Sequence, residues 1–161
     1  MKTLLLLRHA KSDWDDQSLP DFDRPLADRG HRDAPRIGKA LAKNGPAPDL
    51  IISSPALRAT QTTEAVVAAA QLDVVPQFDE RIYGAGTAGL MKVIRGLSDS
   101  ANSALVVGHN PGFEGLVARL TGKAQHMPTA GLASIEFDVQ SWADVEDGKG
   151  KLTRFLTPKT L

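Results

Sequence analysis

The chain has 161 residues, no cysteine, and nineteen basic residues balanced by nineteen acidic ones. Disulfides, zinc–thiolate centres and cysteine nucleophiles are thereby excluded, and no overall field favours nucleic acid or an anionic membrane. A chain of this size buries roughly 70% of its unfolded surface, so it holds a core without a staple and reads as one domain over 1–161.

The opening Met1-Lys2-Thr3 followed by leucines mimics a signal peptide, but the apolar run stops at Leu7 and Arg8, His9 and Lys11 follow. That is shorter than the roughly 7–15 residues of a signal-peptide core. No later stretch is apolar enough to span a bilayer, so the expectation is a soluble cytoplasmic domain. Leu4–Leu7 are too few for a helix and predict a strand buried on both faces. Arg8 and His9 stand where that strand emerges, and in open α/β sheets ligands bind outside the carboxyl ends of strands. A solvated polar strand end is the plain alternative.

Asp13, Asp15, Asp16, Asp21, Asp23 and Asp28 follow, most simply as a solvated loop, or as a screen against highly anionic small substrates. After Arg24-Pro25-Leu26 a helix is predicted over about 29–43. Pro35 is awkward in it, so Asp33 is expected to cap its main body. Asp49–Ser53 predicts a second buried strand, with Ser54 as N-cap and Pro55 as first residue of a helix running to about Ala70. Arg58 near the positive end of that helix costs stability unless an anion is close; a solvated arginine is the alternative.

Leu72–Val75 predicts a short third strand ended by Pro76. Gly84, Gly86 and Gly89 formally match a dinucleotide-binding pattern, but some eight residues separate them from the strand, so a flexible loop before a helix at 87–98 suffices. Ser103–Gly108 predicts a fourth strand. It delivers His109, with Asn110 as cap and Pro111 as first residue of a helix to about Leu120. Leu132–Val139 and Leu152–Leu156 predict a late hairpin at the sheet edge. Trp14, Trp142 and Phe155 read as packing residues, and His31 and His126 as surface or loop residues. The expected architecture is a three-layer α/β sandwich: a mostly parallel central sheet, helices on both faces, and an antiparallel edge hairpin.

With right-handed crossovers the junctions after Leu7, Ser53 and Gly108 share one rim. Arg8, His9, Arg58 and His109 then meet around one crevice. Guanidinium forks match the oxygens of a phosphoryl dianion, and a neutral imidazole supplies a nitrogen able to attack phosphorus. Neighbouring arginines depress the histidine's pKa and keep its lone pair free. Three or four cationic donors can stabilise the transferring group without magnesium.

Leu7-Arg8-His9-Ala10-Lys11-Ser12 with Trp14 resembles the opening motif of the histidine phosphatase superfamily, the phosphoglycerate-mutase-like fold. Arg24-Pro25-Leu26, Ser53-Ser54-Pro55 through Arg58, Gln61-Thr62 and Gly108-His109-Asn110-Pro111 are similar to its later motifs, in matching order. The short length, Ala10-Lys11-Ser12 and Met127-Pro128-Thr129-Ala130-Gly131 resemble the small SixA-like branch, whose members are phosphohistidine phosphatases.

The resemblance implies that His9 is a transiently phosphorylated nucleophile. Arg8 and Arg58 would hold the phosphoryl oxygens, His109 would donate a hydrogen bond to the same group, and Arg24 would be a further phosphate ligand. Glu80-Arg81-Ile82-Tyr83-Gly84 matches the mutase-type motif whose glutamate donates a proton, which nominates Glu80. Relatives that use an acid directly after the second histidine have Asp where this chain has Asn110. About 30 residues between the third and fourth strands leave little room for a lid. The expected activity is a metal- and cofactor-independent phosphatase acting on phosphohistidine in a phosphorylated protein. The alternatives are a phosphatase for small phosphate monoesters or anhydrides and a phosphate-binding module without turnover.

Overall fold

The computed structural model describes residues 1–161. Six strands are present: β1 (Lys2–Arg8), β2 (Leu50–Ser53), β3 (Gln77–Phe78), β4 (Ser103–Gly108), β5 (Leu132–Phe137) and β6 (Lys151–Leu156). Four helices alternate with them: α1 (Asp28–Asn44), α2 (Leu57–Ala70), α3 (Thr87–Arg95) and α4 (Gly112–Thr121). The strands form one sheet in the order β3-β2-β4-β1-β5-β6. The first four are mutually parallel, whereas β5 runs antiparallel to β1 and β6 antiparallel to β5.

The four leucines of β1 explain the layering. Successive side chains of a strand point to opposite faces. Leu5 and Leu7 pack with Ala34, Ile37 and Leu41 of α1 and Ala59 and Val66 of α2. Leu4 and Leu6 face the other way, among Leu90 and Ile94 of α3 and Phe113 and Leu116 of α4. β4 repeats the alternation, with Leu105 and Val107 on one face and Ala104 and Val106 on the other. Truncating any of these leucines to alanine removes roughly 2–5 kcal/mol. The helices α1 and α2 approach closely at Gly38, where a β-carbon would come within 2.9 Å of the Val66 carbonyl oxygen and the Ala69 β-carbon. No helix is long and apolar enough to cross a membrane.

Several boundaries differ from the sequence expectation. Asp33 is not a cap: α1 begins at Asp28 and runs straight through Pro35. The donor lost at Pro35 leaves only the carbonyl of exposed His31 without its helical partner, and the buried row of Ala34, Ile37 and Leu41 carries the helix on. Asp33 is buried and accepts from Arg32 Nε at 3.2 Å and Arg36 Nη1 at 3.3 Å. Helix α2 starts two residues after Pro55, at Leu57, because Ser54 is engaged elsewhere. The third strand is not Leu72–Val75 but Gln77–Phe78, beyond Pro76. Leu72 and Val74 face the α1–α2 core, so their alternation reflects packing, not strand pairing. Trp142 is fully buried and Phe155 partly so, as packing residues, but Trp14 is 55% exposed.

Candidate active site

Parallel pairing sets the site. Leu7 pairs with Val107 and Arg8 with Gly108 across β1 and β4, so His9 and His109 are the next residues off the same rim. Ser53 pairs with Val107 on the other side of β4, so the segment leading into α2 leaves at the same level. Only glycine fits at Gly108, because a β-carbon there would come within 2.6 Å of the Phe113 ring and 2.9 Å of Ile82. His9 and His109 emerge with ring centroids 5.2 Å apart. Together with Arg8, Arg58, Lys11, Asp21, Tyr83 and Trp14 they line a cavity of about 580 Å³.

His9 is held on every side. Its backbone N–H donates to the Gly108 carbonyl at 3.0 Å, and its carbonyl accepts from Ala130 N–H at 3.0 Å. Ala130 makes that bond with a φ of 61°, a left-handed conformation that costs a non-glycine residue about 1–2 kcal/mol. The imidazole Nδ1 lies 2.7 Å from the Ala10 carbonyl oxygen. A carbonyl can only accept, so Nδ1 carries the proton and Nε2 carries the lone pair. The Ala10 N–H in turn donates to Thr62 Oγ1 at 3.0 Å, and that hydroxyl donates to the Arg58 carbonyl at 2.7 Å. The residue that orients the His9 ring is thus anchored to the helix that carries Arg58.

The two imidazoles are neutral at pH 7. Burial pushes His9 down to about 3, reinforced by His109, Arg58 and Arg8 and opposed by the Ala10 hydrogen bond. Burial, with Arg58 and Arg8, pushes His109 down to about 4 against the pull of Asp21. His109 Nε2 lies 2.7 Å from Ser54 Oγ, and its Nδ1 is buried without a partner. Ser54 Oγ also accepts from Ala56 N–H at 3.2 Å, so this serine positions His109 and does not cap α2. Arg8 donates from Nη1 to the Met127 carbonyl at 3.0 Å while its Nε stays buried and unpartnered.

Arg58 is 8% exposed and holds Asp21 with two bonds, Nη1 to the backbone oxygen at 2.7 Å and Nη2 to Oδ2 at 3.0 Å. Tyr83 donates to the same Oδ2 at 2.7 Å, and its ring meets His109 edge-on at 5.6 Å between centroids. Asp21 is a carboxylate here: partial burial raises its pKa, but the Tyr83 and Arg58 hydrogen bonds and the Arg58 charge outweigh that and lower it.

Arg8, His9, Arg58 and His109 therefore meet as the sequence predicts. Arg24 and Glu80 do not line the cavity. Arg24 lies 4.0 Å over the Trp14 ring and 4.0 Å from Asp21, supporting the wall from behind. Glu80 is exposed in a 3₁₀ turn, Glu80–Ile82. Lys11, Asp21 and Tyr83 line the cavity without standing out in the sequence. Asp21 is one of six carboxylates in its loop, Tyr83 lies in the same Glu80–Gly84 motif as Glu80, and Lys11 is one more polar residue after the strand. Trp14, read as packing, is part of the mouth.

Three cations against one carboxylate, with two neutral imidazoles, make the cavity fit a multiply charged oxyanion. No three His, Asp or Glu side chains converge as metal ligands, and the facing guanidinium and ammonium groups repel a cation. His9 Nε2 can attack an electrophile held on the arginines.

Residues 4–94 match the family model of the histidine phosphatase superfamily (branch 1). An uncharacterised Mycobacterium tuberculosis protein, Rv1276c, is 36% identical over 164 residues, covering 95% of this chain and all of its own. A 2,3-bisphosphoglycerate-dependent phosphoglycerate mutase of Leifsonia xyli is 37% identical over 89 residues, covering 51% of this chain and 36% of the mutase. Among solved structures, an Agrobacterium tumefaciens protein provisionally assigned as the phosphohistidine phosphatase SixA superposes with a TM-score of 0.85 at 30% identity, covering 98% of both chains. A SixA protein histidine phosphatase complexed with tungstate shares the fold, with a TM-score of 0.80 at 24% identity and 98% coverage of both chains.

Proposed function

The chain belongs to the histidine phosphatase superfamily and is a phosphatase, and we propose that it removes the phosphoryl group from phosphohistidine in proteins through a phosphorylated His9. Arg8 and Arg58 take the phosphoryl oxygens, with Arg58 exchanging Asp21 for substrate, and His109 donates a further hydrogen bond. The neutral His9 Nε2 attacks phosphorus, and the bond from phosphorus to the substrate imidazole breaks. The departing nitrogen keeps the electron pair and takes a proton from solvent. Water then attacks the phosphorylated His9, releasing inorganic phosphate and restoring the Nε2 lone pair.

One observation carries the choice of substrate: the cavity presents no protonated carboxylic acid, the group that elsewhere protonates an ester leaving group, and its Tyr83 hydroxyl is already committed to Asp21. Asp21 is held ionised, Glu80 lies outside the cavity lining, and Asn110 occupies the position where some relatives carry an acid. An alkoxide leaving from a phosphate monoester needs a proton donor in the transition state. Transfer between two imidazoles exchanges one P–N bond for another and does not. Access supports the same reading. Between β3 and β4 the chain builds only the turn Glu80–Ile82 and the nine-residue α3, which supports reading the site as open to a protein surface.

The test is a comparison of kcat/KM for a phosphohistidine peptide with that for a sugar phosphate, each with and without a chelator. The reading expects the phosphoramidate to be preferred by orders of magnitude and the chelator to change nothing. A preference for the sugar phosphate overturns it.

A further inference from the structure

A second, larger depression adjoins the catalytic cavity. It measures about 870 Å³, has no hydrophobic residue in its lining, and collects Arg29, Arg32, Arg36 and Lys159 against a single carboxylate, Asp33. The chain as a whole carries no net charge, so this is a local concentration of positive potential. Its cations are underused internally. Arg32 and Arg36 share the one buried carboxylate of Asp33, and the Arg36 side chain remains 42% exposed and the Arg32 side chain 65%. Arg29 and Lys159 are exposed and pair with no carboxylate. Arg36 is also braced, donating from Nη2 to the Pro158 carbonyl at 3.1 Å, so part of the groove is fixed before anything binds.

The groove is joined to the chemistry. Thr129 lines both the groove and the catalytic cavity. Arg29 lines both the groove and a shallower pocket at Asp13, Asp15 and Asp28, which meets the catalytic cavity through Lys11, Ser12 and Trp14. The mouth of the active site therefore adjoins both a basic groove and a pocket carrying three carboxylates, and these two meet at Arg29.

We propose that the Arg29–Arg32–Arg36–Lys159 groove docks an acidic segment of the protein that carries the phosphohistidine. This rests on the substrate reading above and adds to it the charge of the partner. Exposed cations in a concave, braced surface steer an oppositely charged protein and set its orientation more than they add affinity. An acidic flank is drawn to the groove and repelled by Asp13, Asp15 and Asp28 in the adjoining pocket. That polarity orients the partner over His9.

The test uses two short histidine peptides, identical except that one has glutamates and the other serines around the histidine, each with and without phosphorylation by phosphoramidate. Unphosphorylated peptides are titrated by fluorescence anisotropy at low and high salt, with an oligo-dT strand as a further probe. The glutamate peptide should bind the full chain roughly tenfold more tightly than the serine peptide at low salt, an advantage lost at high salt. Arg29→Glu with Lys159→Glu should abolish the advantage while leaving turnover of p-nitrophenyl phosphate unchanged. Equal binding of the two peptides, an unaltered preference in the double variant, or tighter binding of the oligonucleotide overturns the proposal. If the glutamate peptide binds as expected but its phosphorylated form releases no phosphate, the groove stands and the phosphohistidine reading falls.

Discussion

His9 and His109 face each other at 5.2 Å between ring centroids because β1 and β4 are paired in parallel register up to Arg8 and Gly108. The same pairing buries the His9 ring and half-buries that of His109, and with Arg58 and Arg8 beside them this keeps both neutral. One feature of the sheet thus places the imidazoles and helps to set their protonation.

His9→Ala should remove the imidazole that attacks phosphorus. Turnover should drop by roughly 10³–10⁶-fold, with circular dichroism and the cooperativity of thermal unfolding unchanged. Near-normal turnover would mean that another group attacks phosphorus.

Thr62→Val should act on His9 at second hand. It leaves the buried Ala10 N–H without the acceptor it now has at 3.0 Å, at a cost of about 1–3 kcal/mol. Because Ala10 also orients the imidazole, kcat should fall by roughly 10- to 100-fold with KM little changed. Thr62→Ser, which restores the hydroxyl, should recover most of both losses.

Asp21→Asn should tighten phosphate binding. The carboxylate now occupies Arg58 at 3.0 Å and repels an incoming anion, whereas an amide keeps an acceptor for Tyr83 and Arg58 without the charge. Inhibition by inorganic phosphate should strengthen by roughly three- to tenfold. Arg58→Ala should do the reverse and lower kcat as well. Both are measured as Ki and kcat on one substrate.

The pH response follows from the depressed histidines. Native His9 titrates near 3 and His109 near 4, whereas in the unfolded chain both titrate near 6.5. The unfolded state therefore binds more protons between those limits, and stability falls as pH drops from 6.5 towards 4. The loss is roughly 1.4 kcal/mol for each pH unit by which each folded value lies below its unfolded one. Above 6.5 that contribution is complete and flat. Activity behaves differently: kcat/KM, corrected for the dianionic fraction of substrate, should stay level from pH 8 to 5. An inflection near 6.5 in that corrected profile would place His9 in solvent.

What could be read from the chain alone was whatever depends on one strand and the residue after it. Leu4–Leu7 imply burial on both faces, and a cation or imidazole at three strand ends implies a shared rim, because a parallel sheet brings such ends together. Asp21 and Tyr83 were out of reach for the opposite reason. They come from a 3₁₀ turn before α1 and a loop before α3, and they meet only through a hydrogen bond that no local pattern encodes. The third strand lies beyond Leu72–Val75 because the alternation of Leu72 and Val74 serves a helix-facing core. Pro35 does not interrupt α1, because the burial of one helix face outweighs a single missing donor. The basic groove was invisible in a balanced net charge, since Lys159 joins the α1 arginines only when the end of the chain folds beside that helix.

The central claim is that phosphorus is bonded to His9 Nε2 during turnover. The most direct measurement is an acid-sparing quench of the enzyme with ³²P-labelled phosphohistidine peptide, followed by peptide mapping. The account predicts an acid-labile, alkali-stable label on the peptide containing His9, absent from His9→Ala. Steady turnover with no label at His9, or label on another residue, would contradict it.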